Sequence, residues 1–421
     1  MKKYNITISL ILILIFLSTI DVNFVFYSKN AISTDNYNTL KKASFWELSQ
    51  TIHITYDNWS SKVFPWIQVH NGTWDDPHII ENVTIDKLGI GNGILIENSH
   101  EFFIIRNCTI FNGGINTGSS QYNLAGIKLI NTSNGTLVDN ECYNNQEGIY
   151  LYTCSNITLE QNICRNNDVN GIYLYTSSVE NHLNRNIVYS NLNHGIVLFT
   201  LCSDNDIIGN EVYDNRNGIL LLSNCDQNLI SSNKLYLNNW EAVNLDTGCD
   251  NNEILHNNVT QNQEGILLNI GSNNNFLFNN TLMENEGSGL IIFNSDSNTV
   301  WKNIITSNAG EYIPSSNPSA YSGVYFHSSI LNNFSGNIIS DSYYGIYLEL
   351  SDNNTVQYNT IRRFTICIEE IDCIGNIILN NNCYQPTSPA IYGYSISILL
   401  ALCILMTFLI IKFKTESAKK Q

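Results

Sequence analysis

One short phrase, repeated along most of the chain, limits what this sequence can fold into more than any other feature. Three consecutive copies read GIYLYTCSNITLEQNICRNN from Gly148, GIYLYTSSVENHLNRNIVYSN from Gly171 and GIVLFTLCSDNDIIGNEVYDN from Gly195. With the first residue as position zero, copies begin at Gly93, Gly126, Gly148, Gly171, Gly195, Gly218, Ala242, Gly265, Gly289, Gly323 and Gly345. A degenerate twelfth copy begins near Thr365 to Cys367. Most steps are 22 to 24 residues, and the two long ones, from Gly93 and Gly289, are 33 and 34, a repeat plus an insertion.

The inner pattern of a copy dictates coiling. Gly-Ile-x-Leu alternates with period two and reads as a strand with its apolar residues at offsets one and three. A turn rich in Ser, Asn and Asp follows, then a second short strand such as Asn186-Ile187-Val188. Runs this short, broken every few residues by Asn, are not helices of ordinary length. No copy can bury its apolar face alone, so copies stack, each strand pairing in parallel with its equivalent one repeat on. The product is an all-β solenoid of about 12 coils with a rise of about 4.8 Å per coil.

Asn recurs at offset 14 or 15, in Asn107, Asn140, Asn162, Asn186, Asn210, Asn233, Asn257, Asn280, Asn303, Asn337 and Asn359. A second set follows five residues later, from Asn112, Asn145 and Asn167 through Asn308. An Asn side chain both donates and accepts, tolerates left-handed turns and can bond its twin on the next coil. Such ladders resemble those of right-handed parallel β-helix proteins, the pectate-lyase-like superfamily. The sequence is most similar to the NosD-type, or carbohydrate-binding and sugar hydrolase, β-helix repeats of bacterial and archaeal surface proteins. The resemblance covers about residues 78 to 383, and right-handedness is what it implies.

Only 14% of residues are charged and the formal net charge is −17, which argues against nucleic acid as a partner. A solubilising surface and a cationic partner both fit that charge. Met1-Lys2-Lys3 and the apolar run that follows have the layout of a signal peptide or uncleaved anchor over residues 1–20. Residues 391–411 form an uncharged apolar run long enough to be a transmembrane helix, and Lys412, Lys414, Lys419 and Lys420 after it place the tail 412–421 in the cytoplasm. The expected order is therefore anchor or signal, a cap region over 21–77, the β-helix over 78–383, a linker over 384–390, the span and the tail. That order predicts a single-pass cell-membrane protein with its β-helix extracellular. Asn-x-Ser/Thr at eleven sites outside residues 1–20, among them Asn71, Asn107, Asn134 and Asn156, fits a glycoprotein. Asn107, as a ladder residue, is expected to be inaccessible.

Residues 39–50 are faintly amphipathic and predict a capping helix. Trp59, Trp66 and Trp74 then mark either cap packing or a ligand platform. Eleven Cys include Cys202, Cys225 and Cys249 on one line, and Cys142 and Cys164 where other copies carry Val or Leu. Neighbouring coils bring such residues within bridging range, so one disulfide per stack and free buried thiols both fit. A copper role, implied by the NosD resemblance, is poorly matched: Met283 is the only Met between the two apolar runs, and the eight His share no offset. Calcium is better matched, because Asp204, Asp226, Asp250 and Asp296 stand in stacked turns, where carboxylates either splay into water or share a cation.

The outward side of Gly-Ile-x-Leu, offsets two and four, is the most informative surface. It reads Tyr150 and Tyr152, Tyr173 and Tyr175, Val197 and Phe199, Leu220 and Leu222, Asn244 and Asp246, Leu267 and Asn269, Ile291 and Phe293, Tyr325 and His327, Tyr347 and Glu349. A solvated strand is normally polar here. The insertions at 113–125 and 309–322 both leave the coil just before this strand and are placed to wall a groove. Aromatic rings with polar breaks suit stacking on an extracellular polysaccharide or cell-surface glycan, the use the resemblance implies for this strand. A seam covered by the insertions or by another chain is the competing reading. For catalysis the flank offers His327 and Glu349 on adjoining coils, with Asp246 about four coils away, and hydrolysis of a glycosidic bond needs two facing carboxyls. Asn193-His194-Gly195 slightly resembles the Gly-His-Gly of polygalacturonases, but the acidic partners of that family are missing. The sequence thus points to a glycan-binding or adhesive surface protein, with a polysaccharide lyase or glycoside hydrolase as the alternative and metal handling as a further one.

Overall fold

The computed structural model describes residues 46–385 apart from 57, 63, 115–123 and 309–317, all within the unit Ala43–Gln421. Each coil carries three short strands, as in Glu147–Tyr152, Thr158–Glu160 and Ile163–Arg165. Every one pairs in parallel with its counterpart a repeat later: Ile149 with Ile172, Leu159 with Leu183, Cys164 with Val188. Among the described residues the middle strands stack into a sheet of 14, and the other two kinds join in one of 25. The result is a right-handed parallel β-solenoid of about 12 turns.

The repeat pattern predicts two strands per coil, and the structure has three. The extra one is only three residues long with one inward side chain, Leu159, Leu183, Ile207 or Ile230 in successive coils, too brief to show alternation. Inward residues such as Ile149, Leu151, Leu159 and Cys164 are fully buried, each stabilising by about 2 kcal/mol through apolar burial.

The corners explain the Asn. The residue before each ladder Asn takes a left-handed backbone, even where it is Arg185, Lys302 or Tyr358, a conformation that costs a non-Gly residue about 1 kcal/mol or more. The ladder compensates for it. Asn186 donates from its backbone N to Asn210 Oδ1 at 2.9 Å, and from Nδ2 to the same oxygen at 3.0 Å and to Leu159 O at 2.9 Å. Three such ladders run up the solenoid, through Asn186, Asn191 and Asn205. The first members differ from the sequence expectation. Cys108 and Gly113 occupy the ladder positions opposite Asn140 and Asn145, donating their backbone N–H to those amides. Asn107 and Asn112 are the left-handed residues just before them and are not fully buried. The repeat Gly has a different cause: a Cβ on Gly148 or Gly265 would run into the carbonyl oxygen of the next coil's Gly.

The parallel ladder starts before residue 78. Trp46–Leu48, where a capping helix was expected, is a strand in register with Val83–Ile85, so that edge is paired in the sheet. Trp59 is buried against His78 at 4.6 Å and Phe103 at 5.6 Å, which makes it cap packing. At the far end Cys367 and Cys383 form a disulfide between the last two coils. The stacked Cys142, Cys164, Cys202, Cys225 and Cys249 are buried free thiols. Among the described residues no helix is long and apolar enough to cross a membrane, and residues 1–20 and 391–421 lie outside them.

Candidate functional site

The outward positions line up as the register requires, Tyr150 on Tyr173 on Val197 on Leu220, and Tyr152 on Tyr175 on Phe199 on Leu222. The flank is neither wholly open nor wholly covered. Offset two is a buried seam, with Tyr150 5% and Tyr173 8% exposed, whereas at offset four Tyr152 is 36% exposed and Tyr175 and Phe199 are half-buried. Tyr150 and Tyr173 stack at 5.1 Å. Beside them Tyr152, Tyr175 and Phe199 follow at 5.6 and 5.4 Å, one ring per coil. Lys128 sets its ammonium 4.9 Å over the Tyr150 ring.

Asn244, Asp246 and Asn269 interrupt the apolar row, and a second cluster of Ile291, Tyr325 and Tyr347 follows, with Phe293 beside it. There Tyr325 donates to Glu349 Oε2 at 2.7 Å, and His327 Nδ1 lies 3.2 Å from the same oxygen and 3.0 Å from the Tyr325 hydroxyl. Phe293 stacks on the imidazole at 4.8 Å. Burial and the Glu349 hydrogen bond hold the Tyr325 phenol well above its ordinary range. The structure thus brings His327 and Glu349 together and adds Tyr325 as a third member. Asp246 is apart, bonded to Thr247 and Asn269. The insertion residues 115–123 and 309–317, the expected walls, lie outside the described residues.

The turn carboxylates have structural partners. Asp226 Oδ1 accepts the backbone N–H of Asp250, Asp250 Oδ1 that of Asn273, and Asp296 Oδ1 that of Ile330. Cys202, Cys225 and Cys249 point inward and donate to backbone carbonyls of Phe199, Leu222 and Asp246. That is no arrangement for copper, and among the described residues no group of three or more His, Cys, Asp or Glu could hold a metal ion.

Two rows escaped the sequence reading. One stands just before each repeat Gly: Glu147, Asn170, His194, Asn217, Glu241 and Glu264. Burial pushes Glu147 up to about 8, Glu264 up to about 7 with help from Glu241, and His194 down to about 4. Asn217 gives its Nδ2 to Glu241 at 2.7 Å, while Asn217 Oδ1, Asn244 Oδ1 and His194 Nδ1 are buried without a hydrogen-bond partner. The other is a stack on the third strand, in which Phe111 meets Tyr143 at 5.0 Å, Arg165 caps Tyr143 at 4.3 Å, and Tyr189, Tyr213 and Tyr236 follow at 4.8 Å spacing. Reading every offset down the register, not only the offsets of the glycine strand, would have found both.

The family model described as "Right handed beta helix region" matches residues 32–212 and 269–399, well over half of the chain. The model of the periplasmic copper-binding protein NosD matches residues 199–317. A search of curated proteins finds no match. Among solved structures, the periplasmic alginate epimerase AlgG is similar at 13% identity and TM-score 0.44, over 80% of this chain and 84% of that one. The A-module of the Azotobacter vinelandii mannuronan C-5 epimerase AlgE4 is similar at 13% identity and TM-score 0.41, over 82% and 90%. The Dettilon tailspike protein is similar at 12% identity and TM-score 0.52, over 69% of this chain and 62% of that one. Likeness at such identities is likeness of fold. With the three-strand coils, the asparagine ladders and the family match in agreement, the chain belongs to the right-handed β-helix family.

Proposed function

We propose that this protein is an extracellular, membrane-anchored β-helix whose aromatic flank binds a polysaccharide or cell-surface glycan, in an adhesive or structural role. The observation that carries the reading is the row Tyr152, Tyr175 and Phe199, three partly open rings on successive coils about one sugar residue apart. Flat apolar faces with polar atoms alongside are what a pyranose requires. The anchor rests on the apolar run 391–411 and the lysines after it. A glycan array probed with the detergent-solubilised full chain tests the reading. Wild type is expected to bind, and the Tyr152→Ala/Tyr175→Ala variant to fold normally and lose binding; no binding by wild type, or equal binding by both, overturns it.

A second reading is favoured by one specific contact, the meeting of Tyr325, His327 and Glu349. A phenol and an imidazole on one carboxylate oxygen suit proton abstraction, as in a lyase, better than hydrolysis, which needs a second carboxyl opposite the first. Release of unsaturated oligosaccharides by wild type, abolished in His327→Ala, would establish it. Inertness of wild type toward neutral and acidic polysaccharides alike would dismiss it.

A further inference from the structure

Trp59, Trp66 and Trp74 have three different surroundings. Trp59 is buried, and Trp66 is half-buried, stacked on Phe64 at 5.1 Å and tilted against Trp46 at 5.5 Å. Trp74 is 77% exposed, with Phe102 edge-on at 5.8 Å as its ring neighbour. An indole left this open forgoes about 2 kcal/mol or more of burial that its two neighbours gain, so its position needs another account.

Trp74 stands at the edge of a surface cleft of about 220 Å³ on the 14-strand sheet, the sheet that does not carry the aromatic flank. The cleft spans three coils, because Ile104, Thr136 and Thr158 are register partners on successive strands. Part of its polar lining is uncommitted. Among the described residues the Thr136 and Thr158 hydroxyls have no hydrogen-bond partner within the protein. Asn134 and Asn156 form a one-way chain, Asn156 Nδ2 donating to Asn134 Oδ1 and Asn134 Nδ2 to His100 O, each at 2.7 Å. That direction uses the Asn156 Nδ2 and leaves its Oδ1, on an exposed residue, as an acceptor. No Asp, Glu, Lys, Arg or His lines the cleft, although the formal charge of the chain is −17.

We propose that this cleft takes one neutral sugar ring, with its apolar face on Trp74 and its hydroxyls on Thr136, Thr158 and Asn156. An open flat ring, free hydroxyl groups, room for about one pyranose and a lining without charged residues each point to that class of ligand. A phosphate or uronate would find no cation among the lining residues. The site is separate from the flank and stands or falls without it. The ring has two possible sources, a free glycan or a sugar carried on Asn156, which begins the triplet Asn156-Ile157-Thr158.

The test uses the full chain in detergent, made in a host without N-glycosylation, with neutral hexasaccharides of glucose and mannose and a uronate hexasaccharide as probes. A neutral hexasaccharide is expected to shift the tryptophan emission and shield it from acrylamide. Trp74→Ala should weaken that binding by more than about tenfold and Thr158→Val by a few fold, with Trp74→Phe intermediate. Trp240→Phe, at a partly exposed tryptophan outside the cleft, should leave the shift and the shielding unchanged, which assigns them to Trp74. In chain made by a glycosylating host, shielding without added sugar that is lost in Asn156→Gln would identify the attached glycan as the occupant. The proposal is overturned if Trp74→Ala, still folded by circular dichroism, binds as wild type does, if only the uronate binds, or if neither free nor attached sugar shields Trp74.

Discussion

The two halves of the aromatic flank are built from the same positions of the same repeat and yet differ in kind. In the first, Tyr150, Tyr173, Val197 and Leu220 form a buried seam beside the rings of Tyr152, Tyr175 and Phe199, with Lys128 over Tyr150 at its start. In the second, Ile291, Tyr325 and Tyr347 form the seam, and the row beside it is Phe293, His327 and Glu349, which share hydrogen bonds and a stack. The inward side chains of both halves are uniformly apolar and buried. Stacking thus constrains the inside of every coil equally and leaves the outside free to carry a row of rings in one half and a hydrogen-bonded Tyr325, His327 and Glu349 cluster in the other.

The largest effect expected on this comparison comes from the seam. Tyr173→Ala removes a ring held between Tyr150 and Tyr175 and should cost about 3–5 kcal/mol in denaturant unfolding. Tyr175→Ala, on the more open row, should cost under about 1 kcal/mol. Equal costs would mean that the seam and the open row are not distinct.

Next is Glu264, in the interval between the halves. Its carboxyl is raised from 4.5 to about 7, by burial first and then by Glu241. The folded state therefore holds a proton that the unfolded chain releases. The associated stability is present below about pH 4.5 and lost as the pH rises to about 7, a difference of about 3 kcal/mol. Glu264→Gln should match wild type at pH 4 and unfold at higher denaturant above pH 7; a constant difference across that range would show that Glu264 is not buried as described.

His327→Ala and Glu349→Gln should cost about 1 kcal/mol each in stability. Both should spare glycan binding by the first half while removing any lyase activity, and loss of binding in either would merge the two halves functionally. The smallest effect is a gain. Asn269→Tyr places a ring next to Phe293 in the interval between the clusters and should raise affinity a few fold for long glycans only, with short ones unchanged.

Much of this was legible in the sequence, for a definite reason. A residue such as Tyr150 finds Tyr173 because parallel stacking turns a step of 23 residues into a step of one coil, so equal offsets become neighbours. The start points of the copies, the buried Cys142 and Cys164, and the meeting of His327 with Glu349 all follow from that arithmetic. The third strand did not, since three residues around one inward Leu or Ile carry no period. Nor did the one-residue displacement that puts Cys108, not Asn107, in the ladder, because a left-handed residue and a ladder residue are both well served by Asn. The split of the flank into seam and open row was hidden too, as alternation says which face a side chain takes and not what lies beside it.

The central claim is that rings on successive coils form one continuous sugar-facing row. Titration of the full chain with neutral oligosaccharides of two to six residues tests it most directly. Affinity should climb with length until the row is filled, and in Tyr175→Ala, which removes the middle ring, it should fall by more than about tenfold and lose its dependence on length. Affinity in that variant equal to wild type, or independent of length in both, would contradict it.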